Sequence, residues 1–316
     1  MKRRLTPVGL LLFFCIGLLS KHLSKDTAFA AEPQTVTPQT LAPQTLDLIL
    51  VAGQSNSVGY DARPDQLRED DADQKILFWW RCGDPPPDEH DSIGRKWSHL
   101  QTQPLGNPKK PREGRQYGNF AQATGGFGPE IGIGRTLYAK TGQRLAIVKA
   151  AFSGTGMRTD WNPDDAGSGG SCYRALLQET RDAIAAAKEQ QLTLRVTAIA
   201  WVQGESDANA NDAPKYAERL GHMLKSLRRD LDSPRMIAML AVNTRFGSGK
   251  NQHLPTVIAA QQALGKDDPL CEYVDTAKAE IANGVHFNAV GTLEVGRLFA
   301  ETLLKLQTSN NAGASQ

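Results

Sequence analysis

The sequence predicts an α/β domain, a three-layer α/β/α sandwich around a five-stranded, mainly parallel sheet. Three observations predict it. Short apolar runs rich in β-branched residues alternate with segments of helical patterning. The runs are apolar along their whole length, as expected of strands covered on both faces. About 260 residues lie between a proline-rich stretch and a small-residue tail, a size suited to one such domain. Strict alternation of strand and helix implies parallel pairing through right-handed crossovers.

The elements follow in order. Residues 1–30 read as a signal peptide: Lys2-Arg3-Arg4, an apolar run from Val8 to Leu19, and Ala28-Phe29-Ala30 as the small-residue cleavage signal. The run is short of the roughly 20 residues of a bilayer span, so an uncleaved anchor is the lesser alternative. Residues 31–45 carry the tripeptide PQT three times at a spacing of five and read as an exposed linker. The domain is expected over 46–306. Its strands are Leu46–Ala52, Leu145–Ala151, Val196–Val202, Met236–Val242 and Cys271–Val274. Its helices are Glu130–Lys140, Tyr173–Gln190, Pro214–Leu231, Pro255–Leu264 and Ala289–Leu306. Residues 307–316 read as a disordered tail. The segment 60–128 breaks the pattern, being long, rich in Pro, Gly and Asp, and holding Trp79, Trp80 and Trp97. It is either a decorated surface loop or a substrate-facing wall.

Composition narrows the partners. The formal charge is +2, but residues 1–30 hold Lys2, Arg3, Arg4, Lys21, Lys25 and Asp26, and the remainder stands at −2. With no dense basic run there, nucleic acid is not expected as a partner. Nor is stable membrane insertion once the signal is gone, and a secreted or periplasmic location follows. Three cysteines remain, with no C-x-x-C and no Cys/His cluster at zinc spacing, so no metal is implied. Cys82 and Cys172 lie in loop-like sequence and form the expected disulfide, whereas Cys271 reads as a buried small hydrophobe.

In a parallel sheet, ligands bind beyond the carboxyl ends of the strands. Strand one is followed by Gly53-Gln54-Ser55-Asn56, strand two by Phe152-Ser153-Gly154-Thr155-Gly156, and strand three by Gln203-Gly204-Glu205-Ser206-Asp207. Asn283-Gly284-Val285-His286 precedes the last helix. Together these are what acyl transfer needs: a serine, a histidine base to take its proton, and fixed donors for the oxyanion. The arrangement is not the nucleophile elbow G-x-S-x-G, because Ser57 stands where the last glycine belongs.

With "AGQSN" after strand one, "WVQGESD" after strand three and "NGVHF" near the end, the sequence resembles the SGNH-type hydrolases. Within them it is similar to the sialic-acid-specific acetylesterases and the acetylxylan esterases of carbohydrate esterase family six. The resemblance runs from about Leu46 to Leu304. It implies an SGNH or flavodoxin-like sheet, Ser55 as nucleophile, and His286 as base. The N–H groups of Ser55 and Gly154, with the Gln203 side chain, would form the oxyanion hole. Gln54, Asn56, Glu205 and Asp207 would support the site, and Trp161 would line the sugar site or pack. The implied reaction is hydrolysis of O-acetyl groups on a polysaccharide or sugar through an acyl-enzyme, with no cofactor. A weakened carbohydrate-binding relative and an esterase for longer acyl chains are the alternatives.

The family pattern has an aspartate three residues before the histidine, and here that position is Asn283. An amide can orient an imidazole but supplies no charge to stabilise the imidazolium. Asn283 or a backbone carbonyl could hold His286 as part of a dyad. Glu205 or Glu280 could reach the ring. Or the activity is weakened or lost. With Ser55, Gly154, Gln203 and His286 all in place, an active enzyme is the expectation.

Overall fold

The computed structural model describes residues 44–83, 92–105, 120–165, 167 and 169–313. The expected signal peptide, most of the linker and the last tail residues lie outside the described residues. In chain order the elements are β1 (Gln44–Gly53), the one-turn helix α1 (Ser55–Val58), β2 (Ile76–Gly83), β3 (Ser92–Ile93), β4 (Ser98–His99), α2 (Glu130–Thr141), β5 (Leu145–Phe152), α3 (Ser171–Glu189), β6 (Leu192–Val202), α4 (Tyr216–Asp230), β7 (Ile237–Ala241), α5 (Leu254–Asp267), β8 (Cys271–Tyr273) and α6 (Ala289–Gly313).

The strands form a single sheet ordered β3-β2-β5-β1-β6-β7-β8, with β4 also pairing β2. The short β3 and β4 pair antiparallel to β2, and every other pairing is parallel. Along β1 the side chains alternate between two cores. Leu48, Leu50 and Ala52 pack with residues of α3, α4 and α5, whereas Ile49 and Val51 pack with residues of α2 and α6. This is the physical content of a continuous apolar strand: both faces are covered, so both parities must be apolar. The three layers are therefore those expected.

The strand count is not. The sheet has eight strands rather than five, and the missed principal one is β2, inside the segment that reads as irregular. Its Ile76-Leu77-Phe78-Trp79-Trp80 run pairs with β5. Trp79 joins one core and Trp80 the other, so both act as packing residues. Trp79 Nε1 donates to buried Glu179 at 2.7 Å, and Trp97 Nε1 to the Ala183 carbonyl at 3.0 Å. The tryptophan-rich stretch thus builds core.

Other boundaries shift too. β1 begins at Gln44, inside the expected linker, because Gln44 and Thr45 pair with β6. The last helix runs to Gly313 through residues expected to be disordered. There Thr308 and Ser309 hydroxyls bond back to the carbonyls of Leu304 and Lys305. The cysteine expectation is also corrected: Cys82 lies in β2, Cys172 in the first turn of α3, and all three cysteines are buried thiols. Among the described residues no helix is long and apolar enough to cross a membrane.

Candidate active site

The sheet register brings three of the four sequence blocks together. Gly53, the last residue of β1, pairs with Ala151 of β5 on one side and Val202 of β6 on the other. The residues after all three strands thus leave the same carboxyl edge side by side. Gly53 has φ +135°, and a Cβ there would lie 2.1 Å from the Val202 carbonyl oxygen. Only glycine allows β1 to turn this close to β6. The Gln54 N–H then donates to that same carbonyl at 2.9 Å, and α1 starts at Ser55.

Ser55 is 7% exposed, and its hydroxyl has no hydrogen-bond partner among the described residues, so no structural bond ties it up. The N–H groups of Ser55 and Gly154 likewise have no protein acceptor among the described residues. Gly154 sits at φ +67° in an exposed turn directly after β5. Two backbone donors are therefore left open at this edge, as an oxyanion site requires.

Asn56 ties in the fourth block. Its Nδ2 donates to Glu205 Oε1 at 2.7 Å and to the Val285 carbonyl at 3.1 Å, while its Oδ1 accepts the Phe287 N–H at 3.0 Å. The residue beside Ser55 thus grips both neighbours of His286. Glu205 Oε1 also accepts the Asn243 N–H at 3.1 Å, and Asn243 Nδ2 donates to the Val285 carbonyl at 3.0 Å. Burial pushes the Glu205 carboxyl above its ordinary value, and hydrogen bonds from the Glu205 and Asn243 backbone and from Asn56 offset part of that. Gln54 Oε1 accepts the Ser206 N–H at 3.3 Å, fixing the turn after β6 against the turn after β1.

The imidazole has a partner that the sequence reading passed over. His286 Nδ1 lies 2.7 Å from Asp61 Oδ2, and Tyr60 packs on the ring at a centroid distance of 4.7 Å. Asn283 does not supply the group at the ring. Its Oδ1 accepts the N–H groups of Val285 and His286 at 2.9 and 3.0 Å, and its Nδ2 donates to Asp61 Oδ2 at 2.9 Å. The hydrogen bond from His286 holds the Asp61 carboxyl below its ordinary value, against the opposing effect of burial and with help from Asn283. An ionised carboxylate only accepts, so the proton between them sits on Nδ1, and in the neutral imidazole it is Nε2 that carries the lone pair. Of the other two carboxylates, Glu205 accepts from Asn56 and Asn243 through Oε1 while its buried Oε2 has no hydrogen-bond partner among the described residues, and Glu280 Oε2 accepts from Asn288 Nδ2 at 3.1 Å.

Two expectations change. Gln203 Nε2 donates to the Thr155 carbonyl at 3.0 Å and to Asp207 Oδ2 at 2.5 Å. Both amide protons are thereby committed, so Gln203 braces the turn that carries Gly154 rather than offering a third oxyanion donor. Asp207 completes that brace by accepting the Met157 N–H at 3.1 Å. Desolvation pushes its carboxyl up to about 6. Trp161 is fully buried, donates from Nε1 to Thr155 Oγ1 at 2.9 Å, and meets Trp201 edge-on at 4.8 Å. It packs and does not line an open site. Among the described residues no group of three or more His, Cys, Asp or Glu side chains is arranged to hold a metal ion.

Over residues 45–305 the chain matches the family model described as carbohydrate esterase, sialic acid-specific acetylesterase. A curated Arabidopsis thaliana protein named "Probable carbohydrate esterase" is 24% identical over 162 residues, covering 51% of this chain and 55% of that protein. The match thus spans about half the length of this curated relative. Among solved structures, an Arabidopsis thaliana protein aligns with a TM-score of 0.58 at 18% identity, over 82% of this chain and 98% of that one. The crystal structure of NanS aligns with a TM-score of 0.55 at 17% identity, over 85% of this chain and 99% of that one. A carbohydrate acetylesterase from Xanthomonas citri aligns with a TM-score of 0.50 at 16% identity, over 80% of this chain and 54% of that one. These structures share the fold described above.

Proposed function

Because the chain belongs to the carbohydrate esterase family of sialic acid-specific acetylesterases, we propose that it is a secreted serine esterase that removes O-acetyl groups from a carbohydrate. The observation that carries the reading is the Asn56 clamp. One side chain, adjacent to Ser55, bonds the residues on both sides of His286. The clamp ties the chain beside Ser55 to the His286 loop, at the sheet edge where two backbone donors are open, which supports the roles of nucleophile and base.

The chemistry follows from those groups. Ser55 Oγ attacks the acetyl carbonyl carbon while His286 Nε2 takes the hydroxyl proton. The carbonyl oxygen becomes an oxyanion facing the N–H groups of Ser55 and Gly154, donors that need no reorganisation as charge develops. When the tetrahedral intermediate collapses, the imidazolium gives its proton to the departing sugar oxygen, leaving Ser55 acetylated. Water, deprotonated by the same nitrogen, attacks the acetyl carbonyl and releases acetate. The basic, apolar and small-residue character of residues 1–30 supports the secreted or periplasmic location.

The test is acetate release from an aryl acetate and from acetylated xylan by the chain from residue 32 onward, beside its Ser55→Ala variant. Turnover that vanishes in the variant is expected. A chain-length series of aryl esters checks the acyl preference, which should fall beyond acetyl. Equal turnover in Ser55→Ala overturns the reading, and a preference for long chains replaces acetate with a lipid acyl group.

A further inference from the structure

We propose that Asp61 is the acid of this site, a positioning residue that supplies from the nucleophile's own loop the carboxylate absent at position 283. The proposal rests on the serine-esterase reading of Ser55 and His286. α1 ends after one turn at Gly59, which has φ +82°, and the chain doubles back so that the Tyr60 N–H bonds to the Ser55 carbonyl at 3.1 Å. That reversal brings Asp61 under the imidazole, 225 residues away in sequence, with Oδ2 at 2.7 Å from Nδ1. The Asp61 and His286 side chains are 16% and 15% exposed, so the pair is largely shielded.

Asn283 changes its task rather than losing one. An aspartate there would place a second carboxylate at the 2.9 Å contact Asn283 Nδ2 now makes with Asp61 Oδ2. Two carboxylates that close cannot both ionise easily. The amide instead donates to Asp61, which keeps the carboxylate ionised and aimed at Nδ1. Asn283 Oδ1 meanwhile fixes the loop through the Val285 and His286 N–H groups. Asparagine at 283 and aspartate at 61 form a matched pair, in which charge and donor have traded places.

The pair predicts non-additive substitutions. Asp61→Asn removes the charge and lets the wrong imidazole tautomer form, a change that costs about 10⁴ in kcat in a serine protease. A loss of about 10³ or more in kcat is expected here, with KM little changed. Asn283→Asp alone lowers activity by crowding two carboxylates. The double variant Asp61→Asn, Asn283→Asp restores the carboxylate–amide pair in the opposite sense and recovers at least tenfold over Asp61→Asn, a change of about 1.4 kcal/mol.

The readouts are kcat and KM across pH, the thermal midpoint of each variant, and the far-downfield proton resonance of an imidazole N–H bonded to a carboxylate. The groups facing the ring are Asp61 and Tyr60 from the loop after α1, with Glu205 acting from the turn after β6. Removing the Asp61 charge withdraws support from the imidazolium, so the acid limb of the rate profile moves to lower pH. The downfield resonance should be present in the parent and in Ser55→Ala, and absent in Asp61→Asn. Asp61→Asn retaining kcat within about tenfold, 1.4 kcal/mol, overturns the proposal while a dead Ser55→Ala leaves the esterase reading intact. A large loss with an unmoved pH profile and no recovery in the double variant also overturns it, marking Asp61 as structural only. An active Ser55→Ala instead removes the reading on which the proposal rests.

Discussion

Asn56 Oδ1 accepts the Phe287 N–H at 3.0 Å, joining two residues 231 positions apart. With the Val285 carbonyl held by Asn56 Nδ2 at 3.1 Å, this contact sets where the His286 loop stands relative to Ser55. The bond to Glu205 at 2.7 Å fixes the amide from behind, so its orientation is not free to vary.

Asn56→Asp tests the clamp with almost no change of shape. The carboxylate can still accept from Phe287 but cannot donate to Glu205 or Val285. Displacing a reacting group by about 1 Å can cost on the order of 10² in rate, and a kcat loss of that size is expected with modest change in KM. Asn243 still donates to the Val285 carbonyl, so the stability cost, about 1–3 kcal/mol, comes from the buried amide-to-Glu205 bond that is lost and the second carboxyl set against Glu205. Steady-state kinetics and urea denaturation of the same preparation check both, and full activity in Asn56→Asp would show that the loop is positioned by other contacts.

Asp207 predicts a slope of stability with pH. Asp207 is 1% exposed and desolvation lifts its carboxyl from 3.8 to about 6, so the folded protein binds this proton more tightly than the unfolded chain. The sign follows: this group favours the fold below pH 3.8, loses that advantage as pH rises toward about 6, and is flat above. The displacement corresponds to roughly 3 kcal/mol. Asp61, held low by His286, acts in the opposite direction, losing its contribution as pH falls through its depressed value. The comparison must therefore be made between parent and Asp207→Asn at each pH. The difference should grow in favour of the variant between about pH 4 and pH 6, and a constant difference across that range would refute the assignment.

The layers, and the carboxyl edge where the candidate site residues gather, were legible because buried parallel strands leave uninterrupted apolar runs that those residues directly follow. β2 was obscured by its surroundings: Ile76–Trp80 is as apolar as β5, but the acids and prolines on either side read as loop. Asp61 was hidden for a different reason. Nothing in "SVGYDAR" marks the acid, because its role arises from the one-turn helix and Gly59 reversal that fold it back onto His286. The missing aspartate at 283 was the usable signal, since it required a carboxylate from elsewhere. Gln203 misled because a motif names a residue type but not where its two amide protons go.

Trp161 should behave as core. Trp161→Phe keeps a ring against Trp201 and removes the Nε1 bond to Thr155, so stability falls by about 0.5–1.5 kcal/mol for the lost hydrogen bond. Trp161→Ala should cost about 3–5 kcal/mol. KM for an acetylated sugar should not change in Trp161→Phe. A raised KM without loss of stability would return the indole to the substrate.

Lys149 provides the last test, because it links the stability of the fold to the helix that begins at Ser55. It is fully buried in β5, and its ammonium donates to the Val58 carbonyl at 2.8 Å, Gln103 Oε1 at 2.6 Å and Glu130 Oε1 at 3.0 Å. All three protons are used, and the cation sits at the last residue of α1. Lys149→Met leaves Glu130 buried without a cation, which should cost about 3–5 kcal/mol. Adding Glu130→Gln removes the stranded charge and should recover part of that loss. The remaining deficit, about 1–3 kcal/mol, reflects the Val58 and Gln103 acceptors still lacking a donor. Urea midpoints of the two single variants and the double variant measure the cycle. Strict additivity would mean that Lys149 and Glu130 act independently, despite the 3.0 Å between them. If α1 depends on this cation, kcat should fall in Lys149→Met and stay low in the double variant, since neither restores the donor to Val58.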